Sequence, residues 1–347
     1  MEKIKKEKVQ IAEKKQKLGF GGFILKYNAP IILVILLIVA SLISPTFLTI
    51  TNIFTVLRQQ AVYLIIAMGM LMVIITAGID LAAAATTALC SVILGCAVVK
   101  WTALGMTGSV GGTWLAILFT LVCAAAIGGL NGVLVSKLRM PAFIVTLAIS
   151  YAAEGVAYMI TKGNTVMLLS GMPAYDMLVY PGFAFMTTPL LKIPLTVVLA
   201  FVIVIIFHVV MKYTTFGRMV YAIGSNESAV QLAGINSKKY LFFVYFIEGI
   251  LCGIGGIVLV CRSGNASALT CSGDYAMNTI AGVVIGGASL AGGEGTVIQT
   301  VIGVFVIAVI GNIMNLINLP QYPQYVIKAA VIILAVLLKS VNIKKKA

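Results

Sequence analysis

Charged residues are scarce in this chain of 347 residues: 10% are Asp, Glu, Lys or Arg, against about 25% in an ordinary soluble domain. Hydrophobic residues make up 61% of the sequence. A soluble domain of this composition could bury a core but could not solvate its surface, and the apolar content excludes a disordered chain. The composition therefore predicts a polytopic, all-α membrane protein that forms one helical bundle.

Residue types that carry enzyme chemistry are also few. The chain has one histidine, His208, and six cysteines without metal-ligand spacing, so neither a nucleophile–base set nor a metal site emerges. No G-x-x-x-x-G-K-[ST] phosphate loop is present. We therefore expect a chain that is not an enzyme and holds no metal or cofactor, with any ATP and Mg²⁺ bound by a separate ATPase.

Long apolar stretches dominate what is present. A helix needs roughly 17–25 residues to cross about 30 Å of hydrocarbon. The sequence predicts about ten such spans, of which the third and eighth are the weakest because they are rich in small residues and adjoin glycines. They are placed at 28–46, 60–77, 82–100, 113–135, 142–161, 193–211, 241–261, 276–291, 296–316 and 324–340.

Basic residues predict the orientation. The net charge is +14, and most Lys and Arg residues fall on inner segments when the N-terminus is placed inside. We therefore expect a cytoplasmic basic tail at 1–26, a transmembrane domain at 27–340 with an inner loop at 212–240, and a cytoplasmic basic C-terminus at 341–347. Between apolar runs, this charge indicates contact with anionic lipids and not with nucleic acid.

Three carboxylates fall within or beside the predicted spans: Asp80, Glu154 and Glu248. Intramembrane carboxylates mark proton or ion pathways in many carriers. However, Asp80 stands just before the third span and fits an N-cap better, while Glu154 and Glu248 could face a pore or bond to a neighbouring helix. Without His or Arg partners, the three make a weak proton relay.

The inner loop carries the signals of a short helix outside the bilayer. Ser225 or Asn226 can cap it, Glu227 suits the dipole of its first turn, and Gly234 can end it. These residues predict a helix at about 227–233 whose small apolar side chains pack against one groove: Ala229, Val230, Leu232 and Ala233. A docking helix is favoured over an ordinary solvated connector.

Several motifs in order give the chain a family resemblance. They are VIITAGIDLA at 73–82, GGLNGVLVSKLRMPAFIVTLA at 128–148, FGRMVYAIGSNESAVQLAGI at 216–235, IAGVVIGGASLAGGEGTVIQTVIG at 280–303 and NIMNLINLPQYPQYVIKAAVII at 312–333. Together they resemble the permease subunits of ribose-type ABC sugar importers over roughly residues 50–340.

The resemblance implies a permease in the bacterial inner membrane that dimerises, with itself or with another permease, around the sugar pathway. It implies two further partners: a periplasmic or lipid-anchored sugar-binding protein, and a cytoplasmic ABC ATPase, often a tandem cassette. It also carries the ATPase-coupling role onto residues of the inner loop: Gly217, Arg218, Gly224, Asn226, Glu227, Ala229 and Gly234.

The chain departs from the family pattern at three places, and two of these departures change charge. The family's Ser-x-Gly-Ser after GIDL is AAAATT at 82–87, its usual arginine before the glycine of the fifth span is Glu154, and its Gly-Tyr-Glu-Leu-Asp run has lost both acids at 276–278. These departures leave the sugar and the docking partner open, and are compatible with a divergent chain of a heterodimer.

A simple sugar, such as a ribose-, xylose- or galactose-like monosaccharide, needs uncharged hydrogen-bonding groups along its path. The uncharged candidates are Asn131, Asn278, Asn312 and Asn315, and Asp80 is a further candidate for the translocation path. For each asparagine, an interhelical hydrogen bond is an equally good interpretation. The alternatives are an ABC permease for an amino acid or nucleoside and, less favoured, an ion-coupled carrier. Opposite orientations of spans two to five and seven to ten fit a possible inverted repeat.

Overall fold

The computed structural model describes residues 28–103, 110–168, 178, 194–271 and 274–344, and in these ranges the chain is almost entirely helical. The helices are α1 (Asn28–Ile43), α2 (Ile50–Ile75), α3 (Ala82–Ala103), α4 (Val110–Ser136), α5 (Ala142–Thr161), α6 (Leu195–Tyr213), α7 (Thr215–Leu232), α8 (Ser237–Ser263), α9 (Asp274–Ile285), α10 (Val297–Leu316) and α11 (Gln321–Lys344). Two short strands, β1 (Val166–Met167) and β2 (Asn265–Ala266), pair antiparallel, and a 3₁₀ turn follows at Ala268–Cys271.

Each predicted span overlaps a helix. Seven helices of the described part are long and apolar enough to cross a membrane: α2, α3, α4, α5, α6, α8 and α10. The number of crossings, the cytoplasmic termini and the inverted repeat stay predictions. The predicted basic tail at 1–26 lies outside the described residues, as do residues 345–347.

The eighth predicted span, 276–291, is wrong at its C-terminal end. Helix α9 stops at Ile285 after 12 residues, about 18 Å, which is too short to cross the hydrocarbon core. Gly286 and Gly287 follow, and Gly287 has a φ of +103° that side-chain-bearing residues rarely adopt. The apolar composition of the sequence therefore continued past the point where the backbone leaves the helix.

Helix α2 is the centre of the bundle. Every residue from 64 to 75 is buried, and α6, α8, α9 and α10 pack around the helix. A helix that is apolar on all sides belongs in an interior, whereas α5 turns most of its apolar side chains outward. This outward apolar surface is what a lipid-facing helix requires.

Helices α4 and α8 approach closely through glycine. A Cβ built on Gly128 would lie 2.6 Å from the carbonyl oxygen of Tyr245, and one on Gly249 would lie 2.5 Å from the Cα of Gly128. Small residues at such crossings let two backbones touch, which is the usual basis of helix association in lipid. The pair holds α8 against the side of the bundle.

Candidate functional site

A cavity of about 260 Å³ opens at one end of the bundle between α2, α8, α9, α10 and α11. Its wall is mainly polar in residue type. The polar and charged residues that line it are Gln59, Gln60, Tyr63, Arg262, Tyr275, Asn278, Asn312, Asn315, Gln324 and Lys328. Uncharged amides and phenol rings of this kind can hydrogen-bond the hydroxyl groups of a small polar molecule and cover its ring face.

Two tyrosines form a flat platform in this cavity. The rings of Tyr63 and Tyr275 stack with centroids 4.5 Å apart and planes 6° from parallel. The Nη2 of Arg262 donates a hydrogen bond to the phenolic oxygen of Tyr275 over 3.3 Å. The platform therefore joins α2, α9 and α8 at the cavity wall.

Three of the asparagines proposed for the solute path meet at this cavity: Asn278, Asn312 and Asn315. Asn312 also exchanges two amide hydrogen bonds with Asn52, of 2.9 and 3.0 Å, and Asn315 accepts one of 3.0 Å from Gln324. These two asparagines therefore tie helices together at the cavity edge as well as facing it.

The other two candidates lie away from the cavity. Asp80 is buried, and its Oδ1 accepts a 2.7 Å hydrogen bond from the backbone N–H of Ala82, so the carboxylate caps the start of α3. Asn131 is buried in α4, and its Oδ1 has no hydrogen-bond partner among the described residues. The structure does not bring either residue to the wall formed by the three asparagines.

The inner loop at 212–240 forms two helical pieces, which lie at the end of α2 that is farther from the cavity. Asn226, with φ −163° and ψ 96°, breaks α7, and its Oδ1 accepts a 2.9 Å hydrogen bond from the N–H of Ala229. Gly234, at φ +78°, follows the second piece. This agrees with the predicted cap and stop, but the helix that begins at Thr215 was not predicted, although Thr214 caps it by accepting from the N–H of Gly217.

Gly224 allows α7 to pack closely against the membrane-spanning helices. A Cβ at this position would fall 2.7 Å from the backbone nitrogen of Gly293 and still closer to the carbonyl oxygen of Ile75. The N–H of Gly293 donates to that same carbonyl over 2.8 Å, and the hydroxyl of Tyr221 donates to the carbonyl of Gly295 over 2.7 Å. The glycine-rich segment at 286–295 is thus a packing partner of α7.

Glu227 joins three parts of the chain. Its Oε1 accepts from Arg139 Nη1 at 2.5 Å, from Ser237 Oγ at 2.7 Å and from Gln231 Nε2 at 3.0 Å. Burial raises the pKa of this carboxyl, but the hydrogen bonds from Ser237 and Arg139 and the Arg139 charge outweigh it, so the pKa is lower than usual. Arg139 is 88 residues away in sequence, so no local pattern could have indicated this clamp.

The apolar face predicted for the short helix is mostly uncovered. Val230 is buried, but Ala229 and Ala233 are exposed and Leu232 is 90% exposed. The described part of this chain therefore provides no groove that holds all four, and their packing against a docking groove stays a prediction. Arg218 is also exposed and reaches the Tyr213 carbonyl over 3.4 Å, while Gly217 is buried against Met211.

The sequence departures from the family pattern gather around a second cavity of about 210 Å³. Ala84 and Ala85 from the AAAATT run line it, as do Glu154 and Ala276. No group of three or more metal-ligating side chains occurs in the described ranges. Positions that depart from the family pattern and lie far apart in the sequence are therefore close together in the structure, which the sequence did not indicate.

Comparison with known proteins places the chain in a family. A model of the family described as "Branched-chain amino acid transport system / permease component" matches residues 52–336. The ribose import permease protein RbsC of Escherichia coli (strain K12) is 35% identical over 316 residues, which cover 91% of this chain and 94% of that protein. RbsC of Bacillus subtilis (strain 168) is 36% identical over 335 residues, covering 96% and 98%.

A further relative is the galactose/methyl galactoside import permease protein MglC of Haemophilus influenzae, 32% identical over 93% of this chain and 96% of that protein. No solved structure gives a significant match. The family description names an amino acid system, whereas these relatives are named for sugars, so the family is broader than one solute. The chain belongs to this family of ABC transporter permease components and is similar, within it, to the ribose import permeases.

Proposed function

We propose that this chain is the membrane-spanning subunit of a bacterial inner-membrane importer that passes a monosaccharide, with ATP hydrolysed by a separate subunit. The main observation behind the proposal is that one buried helix, α2, contacts both the polar cavity and helix α7. Tyr63 of α2 lies in the polar cavity, and Ile75 of α2 supports Gly224 of α7. Twelve residues separate these points, about 18 Å along a helix.

The cavity suits a sugar because amides and stacked phenol rings match hydroxyl groups and a ring face. The relatives named above are import permeases for ribose and galactose, which supports the same class of solute. In the proposal, Asn278, Asn312 and Asn315 contact the sugar, whereas Asp80 and Asn131 act in helix packing.

The exposed end of α7 is the proposed seat of a cytoplasmic ABC ATPase. Leu232 presents an apolar side chain to solvent on a helix that Glu227 fixes to α8 and to the loop before α5. Ala229 and Ala233 on the same helix are exposed as well, and the proposal assigns this small apolar surface to the ATPase. Movement of the ATPase would then push α7, and through Ile75 and Gly293 the centre of the bundle. The proposed assembly has three further components: a tandem-cassette ATPase, a periplasmic or lipid-anchored binding protein, and a second permease chain.

The test replaces Leu232. We expect Leu232→Asp to insert normally and to lower ATP-dependent sugar uptake about tenfold or more, because a charged side chain cannot enter an apolar docking pocket. Leu232→Met keeps the apolar volume and should retain uptake. Equal uptake by both variants, or uptake that persists without any ATPase and follows an ion gradient, would refute the coupling role.

A further inference from the structure

The polar cavity carries positive charge. Arg262 of α8 and Lys328 of α11 both line it, and the other described lining residues are neutral amides, tyrosines, aliphatic residues and a glycine. The described lining therefore combines hydroxyl-binding groups with two positive charges.

Neither cation is matched to a carboxylate among the described residues. Arg262 donates to the neutral phenol of Tyr275, and the ammonium of Lys328 stands 5.6 Å from the ring centroid of Tyr325. The ion pair that the described part of the chain does form, Arg139 with Glu227, lies at the other end of the bundle. Both charges thus remain available to a molecule in the cavity.

Two like charges in one concave site have a physical consequence. They raise the local positive potential, which concentrates anions and repels cations. A hydrogen bond between such a cation and an anionic oxygen is about twice as strong as one between neutral groups. A neutral sugar would cover both cations without compensating their charge, which is unfavourable once water is displaced.

We propose that the solute of this chain is an acidic monosaccharide, a single sugar ring that carries a carboxylate or a phosphate group. Arg262 and Lys328 hold the acidic group, Asn278 meets hydroxyls, and the Tyr63–Tyr275 platform covers the ring. The cavity of about 260 Å³ lies below the roughly 300–1,000 Å³ of drug-sized sites, in keeping with one ring and not an oligosaccharide. The inference rests on the proposed sugar path through this cavity and adds the charge of the solute.

The experiment measures binding of matched sugar pairs to the full-length chain in lipid nanodiscs. The pairs are galactose with galacturonate and ribose with ribose 5-phosphate, so the two arms separate carboxylate from phosphate. We expect the acidic member of at least one pair to bind about tenfold or more tightly at low salt, with the difference shrinking as salt rises.

Variants test whether Arg262 and Lys328 cause the preference for the acidic sugar. Arg262→Gln and Lys328→Gln should each remove about tenfold of the preference for the acidic sugar, and Arg262→Lys and Lys328→Arg, which keep the charge, should retain most of it. Lys162→Gln is the matched control, because Lys162 is exposed and does not line the cavity. It removes one positive charge from the chain and should change nothing.

Three results overturn the inference: tighter or equal binding of the neutral sugars, binding of no member of either pair, or Arg262→Gln and Lys328→Gln behaving like Lys162→Gln. ATP-dependent uptake is read separately in the complete transporter. Uptake of neutral sugars alone rejects the acidic solute and leaves the proposed function standing, whereas the absence of ATP-dependent uptake of any sugar rejects the proposed function itself.

Discussion

The contact between α7 and the membrane bundle should be broken by a single added methyl group at Gly224. A Cβ there would meet the carbonyl oxygen of Ile75, which already accepts from the N–H of Gly293. Both neighbours are backbone atoms and cannot rotate aside, so α7 must retreat by more than about 1 Å. Overpacking of this kind costs about 1–3 kcal/mol, and loss of the Tyr221–Gly295 hydrogen bond adds about 1 kcal/mol.

We therefore expect Gly224→Ala to lower the free energy of unfolding by about 2–4 kcal/mol and to abolish ATP-driven uptake. The measurements are thermal unfolding of the purified chain and uptake by the complete transporter. Gly155→Ala is the control, because a Cβ on Gly155 meets nothing within 4 Å and alanine is the better helix former by about 0.8–1.0 kcal/mol. A Gly224→Ala protein that unfolds and transports like Gly155→Ala would refute the close seating of α7.

Two further outcomes follow from polar contacts. Glu227→Gln and Arg139→Gln should show a coupling energy of about 0.2–1 kcal/mol in a double-mutant cycle of unfolding, because the two side chains are 31% and 41% exposed, and salt should reduce it. The pKa of Glu227 is lowered from 4.5 in the folded protein, so the stabilisation by this ion pair should be complete above pH 4.5 and should disappear as the pH falls through the lowered pKa. A coupling energy that stays constant down to pH 2 would contradict this reasoning. Asn312→Leu alone should cost about 0.6–2 kcal/mol because the amide of Asn52 loses its partner, and adding Asn52→Leu should recover part of that loss in the same unfolding assay; strict additivity would speak against the pair.

Hydropathy predicted the apolar parts of the helices but missed polar turns at their ends. The second span was predicted at 60–77, whereas α2 begins at Ile50, where Thr49 caps it by accepting from the N–H of Asn52. Polar residues such as Gln59 lie in the omitted turns and line the cavity. A scale that rewards apolar residues therefore ends a span just where the polar cavity begins.

The candidate site was predictable by residue type and not by position. Asn312 and Asn315 are three residues apart on one helix and so share a face, which a sequence can show. Asn131 has the same chemistry but faces a different part of the bundle, and only the packing of helices decides that. Lys328 carried a usable signal, because a lysine inside an apolar span is costly and is therefore a candidate for a functional position. Nothing local linked it to Arg262, 66 residues earlier.

The burial of α2 also determines how the surrounding lipid can act on this protein. Residues 64–75 touch no acyl chain, since protein encloses them on every side. Changes in bilayer thickness or fluidity act first on outward-facing helices such as α5, whose apolar stretch is 22% buried against 83% for α2. The segment of α2 between the cavity and α7 therefore has no direct contact with lipid, so a change in membrane composition reaches it only through the helices packed around it.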